Sequence, residues 1–446
     1  MRRVLTLVLL YAAMQLVIPL DTSHGPGSTT LLIFGFLVLA AYTSGELATL
    51  VRLPKITGYL VAGLLFGPAV MGIVSSASVS ELQPVSRLAV ALIAFMAGAE
   101  LNWGELKERA RTILTLLTSE MILSFLGIMT GLWILRAHVP FLGDVNAVQA
   151  LVLCALFASV MIVHSPAVTM ALLAETRAHG PVARTTLGVV LVADVVVVLI
   201  FSGMLTLARS VVPPPGGGGP TLTAGIIAWE ILGSLLVGAI LGGGVALYMR
   251  FVQRELMLFA IVVAFLGAEI ARMAHVETLL TLLTAGFITE NATRTGGREL
   301  LQAMERSAVP IFVVFFALAG ASIHIGELVM LWPLALAVVG IRAAAIFSGT
   351  RIGSHLVKAS PVVKQNVWLG LISQAGVAIG LASILARAYP SRGGAMQTLV
   401  LSVIAINEIA GQILFSIALR RSGEAEEGVE LQGSGGRVQG SEPASG

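Results

Sequence analysis

Leu187–Phe201 reads LGVVLVADVVVVLIF, an apolar run with a single acid, Asp194, at its middle. It belongs to a hydrophobic segment at about 183–208, long enough to cross a bilayer core, which takes roughly 20 residues. A charged side chain at such a depth costs about 2.5–3.5 kcal/mol on insertion scales, so it marks a working site before it marks packing. Upstream, Val160–Met170 reads VMIVHSPAVTM, where His164, Ser165 and Pro166 interrupt another apolar run. Proline cannot donate to the helix ladder, so the carbonyl one turn back is released. Together the acid and the broken helix have the ingredients of an ion site built where water is excluded.

The rest of the chain has the composition of a membrane protein. Of 446 residues, 57% are hydrophobic and 11% charged, against about 25% charged in soluble domains. The 48 glycines suit closely approaching membrane helices. Apolar segments fall at about 3–20, 31–50, 56–73, 85–102, 111–136, 147–174, 183–208, 224–250, 256–273, 277–293, 306–323, 328–357, 365–388 and 395–420. Continuous apolarity at this length makes them helices, since lipid leaves no water for open backbone groups. The fold class is therefore all-α and polytopic, with 13 or 14 transmembrane helices.

Lys and Arg settle the orientation. Alternate connections collect 20 of the 27 basic residues on one side and six on the other, with Arg342 left inside a span. The basic side is cytoplasmic, which places both termini there if the first helix is uncleaved. The first segment, MRR followed by an apolar run, also reads as a signal peptide or signal-anchor. Residues 1–30 are thus an N-terminal helix and loop, 31–420 a single transmembrane domain, and 421–446 a disordered cytoplasmic tail rich in Gly, Ser and Glu. PPPGGGGP at 213–220 reads as a flexible linker between the chain's halves. The excess of basic residues marks cytoplasmic loops and predicts no nucleic-acid partner. Cys154 is the sole cysteine, which excludes an intrachain disulfide.

The fifth to seventh segments share a layout with the twelfth to fourteenth. The sixth is broken at His164–Pro166 and the thirteenth at Ser373, Gln374, Ala375 and Gly376. Each break precedes a helix with one central acid, Asp194 or Glu408. The copies are seven spans apart, so the second is inverted in the membrane. Paired interrupted segments of this kind point to a transporter's binding site. Asp194 is the candidate site for a cation or a proton, since a desolvated carboxylate can hold either. Ser165 can add a hydroxyl and His164 a titratable ring, although a lone His beside a helix break is more often just hydrogen-bonded. Arg342 either neutralises the dipoles at the crossing and balances Asp194 or Glu408, or pairs structurally with another acid. Glu408 is a second proton site or Arg342's partner, with the structural role favoured. Glu120 and Glu269 read as polar packing pairs or relays. No nucleophile–base pair or resident metal cluster stands out, which predicts no enzyme and no cofactor.

Three blocks carry a resemblance over almost all of 31–420. Leu53–Pro68 (LPKITGYLVAGLLFGP), Ala91–Lys107 (ALIAFMAGAELNWGELK) and Val309–Ile323 (VPIFVVFFALAGASI) follow in the order of the cation:proton antiporter superfamily, the sodium/proton exchanger domain. The resemblance implies a core domain sliding against a scaffold, with two discontinuous helices crossing near the bilayer centre. It implies Asp194 as the ion-binding carboxylate and Arg342 as the basic residue of the core. It also implies a homodimer in a bilayer, for a bacterial chain the inner (plasma) membrane. Many members carry an acid or Asn just before the ion-binding Asp, where this chain has Ala193. The expected function is exchange of a monovalent cation, Na⁺ or K⁺, for protons. The rivals are a potassium-efflux channel or carrier without strict proton coupling, and a non-transporting membrane sensor on the same fold.

Overall fold

The computed structural model describes residues 2–17, 26–143, 145–213, 224–252, 255–293, 296–306, 308–323, 325–374, 376–389 and 391–425. Most of the PPPGGGGP linker, Ala375 and the tail from 426 lie outside these residues. The helices run, in order, α1 (Arg2–Val17), α2 (Pro26–Ala48), α3 (Lys55–Phe66), α4 (Ser76–Glu81), α5 (Gln83–Ala99), α6 (Trp103–Ile134), α7 (Ala147–Met161), α8 (Pro166–Thr176) and α9 (Pro181–Val211). They continue as α10 (Ala224–Phe251), α11 (Leu256–Met273), α12 (Thr278–Ala292), α13 (Gly296–Arg306), α14 (Ala308–Ala321), α15 (Ile325–Leu356), α16 (Pro361–Gly370), α17 (Gly376–Ala388) and α18 (Gly393–Arg421).

Each of the fourteen apolar segments meets a helix or a broken helix, and two further helices appear among the described residues. The six-residue α4 starts where Ser75 caps Ser78 N–H, and α13 is a charged helix between two spans. Among the described residues eight spans, counting α7 and α8 as one, are long and apolar enough to cross a membrane by themselves. Some ends moved for plain reasons. Gly67 and Pro68 stop α3 at Phe66, short of the expected 73. Asn102 caps Gly104 N–H, so α6 begins eight residues earlier than its apolar run and takes in Lys107, Arg109 and Arg111.

Two apolar cores organise the bundle. One joins α6, α7, α9 and α15–α18, and holds Phe157, Val190, Val338 and Val400. The other joins α2, α3, α5, α8 and α10–α14, and holds Leu60, Phe95, Leu282 and Phe316. In the first group α6 lies along α15, and each neighbours its own broken helix, α7–α8 or α16–α17. Segments five to seven and twelve to fourteen thus pack together, apart from α8, whose buried residues belong to the second core. In the second group backbones meet directly at two crossings. A Cβ on Gly98 would strike the Leu283 carbonyl and one on Gly320 the Leu60 carbonyl, so only glycine fits either place. Leu232, Leu236, Ile240 and Phe265 on α10 and α11 stay exposed, as lipid-facing side chains do.

Candidate functional site

The two breaks form for different local reasons. At the first, Pro166 opens α8, and a residue before proline is disfavoured in the helical region. Ser165 is that residue, and its Oγ accepts from Val168 N–H at 3.3 Å as the cap of α8. At the second, non-helical backbone runs over Leu371–Gln374 and α17 starts at Gly376, with no proline in the sequence between them. It is held open by side chains from elsewhere.

Arg342 supplies most of that hold. Its Nε donates to Met161 O at 2.8 Å, Nη1 to Ile372 O at 2.6 Å, and Nη2 to Val163 O at 2.9 Å and Leu371 O at 3.2 Å. One guanidinium therefore ties the C-terminal ends of α7 and α16, where the helix dipoles put partial negative charge. The side chain is 1% exposed and remains a fixed charge. Among the described residues its hydrogen bonds go to these carbonyls and to His164, not to Asp194 or Glu408. Gln374 adds a second tie: its Nε2 donates to Met161 O at 2.9 Å, and its Oε1 accepts from Asn407 Nδ2 at 2.8 Å. Ser373 lies against Gly411 of α18, where a Cβ would meet its backbone.

His164 is part of this frame. Its Nδ1 sits 2.8 Å from Leu371 O and its Nε2 3.1 Å from Glu120 Oε2. Glu120 Oε1 accepts from Ser124 at 2.6 Å. Glu120 is thus fully buried and hydrogen-bonded at both oxygens. Glu269 lies far from that frame, where Arg272 Nε donates to it at 3.0 Å on an exposed turn of α11. Glu120 is the eighteenth residue of α6, and Arg342 the eighteenth of α15 counted across a kink at Leu331.

Asp194 stands outside this network. Both its carboxylate oxygens are shielded and have no hydrogen-bond partner among the described residues. The residue lines a cavity of about 1060 Å³ that Glu408 also lines. Ala193, one residue back, turns into the apolar core. The cavity extends to Arg87 in the first turns of α5, Arg272 at the end of α11 and Arg387 at the end of α17, on the side with few basic residues. Ser165 and His164 do not line it. At the other end α8 lies against α3 and α5, leaving a cleft of about 30 Å³ beside Glu100, Ile113 and His179.

Sequence reasoning missed several residues. Glu230 and Glu277 line the cavity wall across from Asp194. Glu277 also caps α12, accepting from Leu280 N–H. Both acids stand near segment ends, where charge carries no signal. Asn407 was hidden beside the more conspicuous Glu408. Glu175 ends α8 and accepts from backbone N–H groups of α3, a contact no local pattern announces.

Known proteins give the fold a context. The family described as "Sodium/hydrogen exchanger, transmembrane" matches residues 6–420. The chain is 30% identical over 129 residues to the "Probable Na(+)/H(+) antiporter GerT" of Bacillus cereus, covering 28% of this chain and 32% of that protein. It is 31% identical over 91 residues to the "Na(+)/H(+)-K(+) antiporter GerN" of the same organism, covering 20% of this chain and 23% of that one. These matched stretches span a third or less of each relative. The solved structure of the sodium proton antiporter MjNhaP1 from Methanocaldococcus jannaschii at pH 8 superposes with a TM-score of 0.62 at 16% identity, over 88% of this chain and 96% of that one. The helix order, the paired breaks and the family match over nearly the whole length lead to one conclusion: the chain is a multi-pass membrane protein belonging to the sodium/hydrogen exchanger family.

Proposed function

We propose that this protein is a secondary antiporter that exchanges a monovalent cation, Na⁺ or K⁺, for protons, with Asp194 binding cation and proton in competition. The observation that carries the reading is the pair of buried, unpartnered carboxylate oxygens on Asp194, a residue that lines a large cavity. A carboxylate left without protein partners is filled by what arrives through the cavity, a proton or a cation. A monovalent cation wants oxygen ligands, which Asp194 and water in the cavity provide. Ser165, His164 and Arg342 hold the helix breaks in place beside it rather than touching the ion.

In this reading the two cores supply the moving parts of alternating access. The unit of α6, α7, α9 and α15–α18 carries Asp194, with α8 lying between it and the wall of α2, α3, α5 and α10–α14. Sliding would close the large cavity and open the cleft beside Glu100 and His179. The relatives' printed names include both Na⁺/H⁺ and Na⁺/H⁺–K⁺ antiport, so both cations belong in the test.

The experiment is proton flux in vesicles reconstituted with the full chain, driven by gradients of Na⁺, K⁺ or Li⁺. Cation-dependent flux that vanishes in Asp194→Asn is expected. Flux surviving that change sinks the assignment, and cation flux without proton movement favours an uncoupled potassium-efflux carrier.

A further inference from the structure

We propose that Glu408 is a second ion-accepting carboxylate of the same cavity, filled and emptied in the same cycle as Asp194, so that two protons move against each cation. The inference rests on the Asp194 reading above and deepens it.

Glu408 comes from α18, the inverted counterpart of α9, and lines the same cavity as Asp194. Its side chain is 3% exposed, yet its Oε1 has no hydrogen-bond partner among the described residues. A structural acid at this depth would have found a donor, because an unpartnered buried acceptor costs about 1–3 kcal/mol. The obvious cation, Arg342 on the neighbouring α15, spends its donors on four carbonyls and His164. The adjacent amide, Asn407, is turned to Gln374. One turn further, Gln412 is fully buried with both amide atoms also unpartnered. Polar groups left open around Glu408 are what a changing occupant requires.

The charged groups facing the cavity are Asp194 on α9, Glu230 on α10, the Glu269–Arg272 pair on α11, Glu277 on α12, Arg87 on α5 and Arg387 on α17. No ion pair joins Glu408 to a basic group among the described residues. Neither Asp194 oxygen is hydrogen-bonded to it, so the two acids are separate acceptors. In a cycle, both carboxylic O–H bonds break on the side where the cation enters. Both reform on the side where it leaves. Two protons then travel against one cation, and one net charge moves per turnover.

The test is the null point of exchange in proteoliposomes of the full chain with the voltage clamped at zero. A roughly tenfold cation gradient is balanced by about half a pH unit when two protons move per cation, and by about one unit when one moves. Wild type and Glu408→Asp are expected at about half a unit, and Glu408→Gln at about one. A wild-type null point at one unit overturns the proposal, as does an unchanged null point in Glu408→Gln. A second measurement covers a Glu408→Gln protein that folds but exchanges nothing: protons released per cation bound in detergent, in weakly buffered solution. Release should fall by half, and unchanged release overturns the proposal. Failure of the underlying reading looks different, since exchange would then survive in Asp194→Asn.

Discussion

The carboxylate of Glu175 accepts a hydrogen bond from Lys55 N–H at 2.6 Å, joining the last turn of α8 to the first turn of α3. Ile56 N–H adds a longer contact at 3.4 Å. One helix belongs to the broken pair and the other to the wall, so under the proposed alternating access this contact parts when its side opens. Glu175→Gln keeps the shape and removes the charge, which makes hydrogen bonds to an ionised acceptor stronger by roughly 1 kcal/mol. The closed cleft should then open about five-fold more often. Cys154 is the sole cysteine and is buried, so Cys154→Ala with Ile113→Cys gives a clean reporter in the cleft. Alkylation from the cytoplasmic side should speed up by about that factor in Glu175→Gln, and unchanged labelling removes Glu175 from the gate.

Asp194→Asn should fold at least as well as the parent without added cation, because it removes an uncompensated buried charge. What it should lose is the stabilisation that a bound cation confers, about 2.7 kcal/mol at a hundred times Kd. Melting curves in detergent, with and without Na⁺ or K⁺, measure both effects. A cation-induced rise of Tm persisting in the variant would place the ion elsewhere.

Arg342→Lys should not be a mild change. An ammonium has three donors on a flexible stem and cannot span the four carbonyls that the planar guanidinium bridges. Losing two of these charge-assisted bonds should cost on the order of 3–5 kcal/mol. Denaturation of the purified variant tests this, and a Tm within a degree or two of the parent contradicts it.

The N-terminus of α9 is capped from the far end of the chain. Glu424 accepts from Val182 N–H at 2.7 Å and Ala183 N–H at 2.8 Å. Glu424→Ala should lower stability by about 0.5–2 kcal/mol, the usual cost of a lost cap, while exchange persists. A variant that is fully stable but inactive would give this contact a different role.

The spans were legible because each carries enough apolar residues to be read without its neighbours. The helix breaks were legible for the same reason at His164–Pro166, and less directly at Ser373–Gly376, where no proline marks the stop. Asp194 announced itself as a charge in an apolar run. Partnerships were another matter. Arg342 meets Met161 across 181 positions and Gln374 meets Met161 across 213, and no local pattern encodes such a reach. Glu277 and Glu175 looked like ordinary helix-end acids because their roles exist only once another helix is beside them.

The matched placement of Glu120 and Arg342 carries a consequence for ancestry. Equivalent positions of the two inverted copies hold opposite charges, and both are used at a single crossing. Two identical halves would bring two acids, or two bases, to one bouquet of carbonyl ends. If the repeat arose by duplication, the copies had to diverge in sign at this position before the present crossing could settle. Neither half can now stand in for the other.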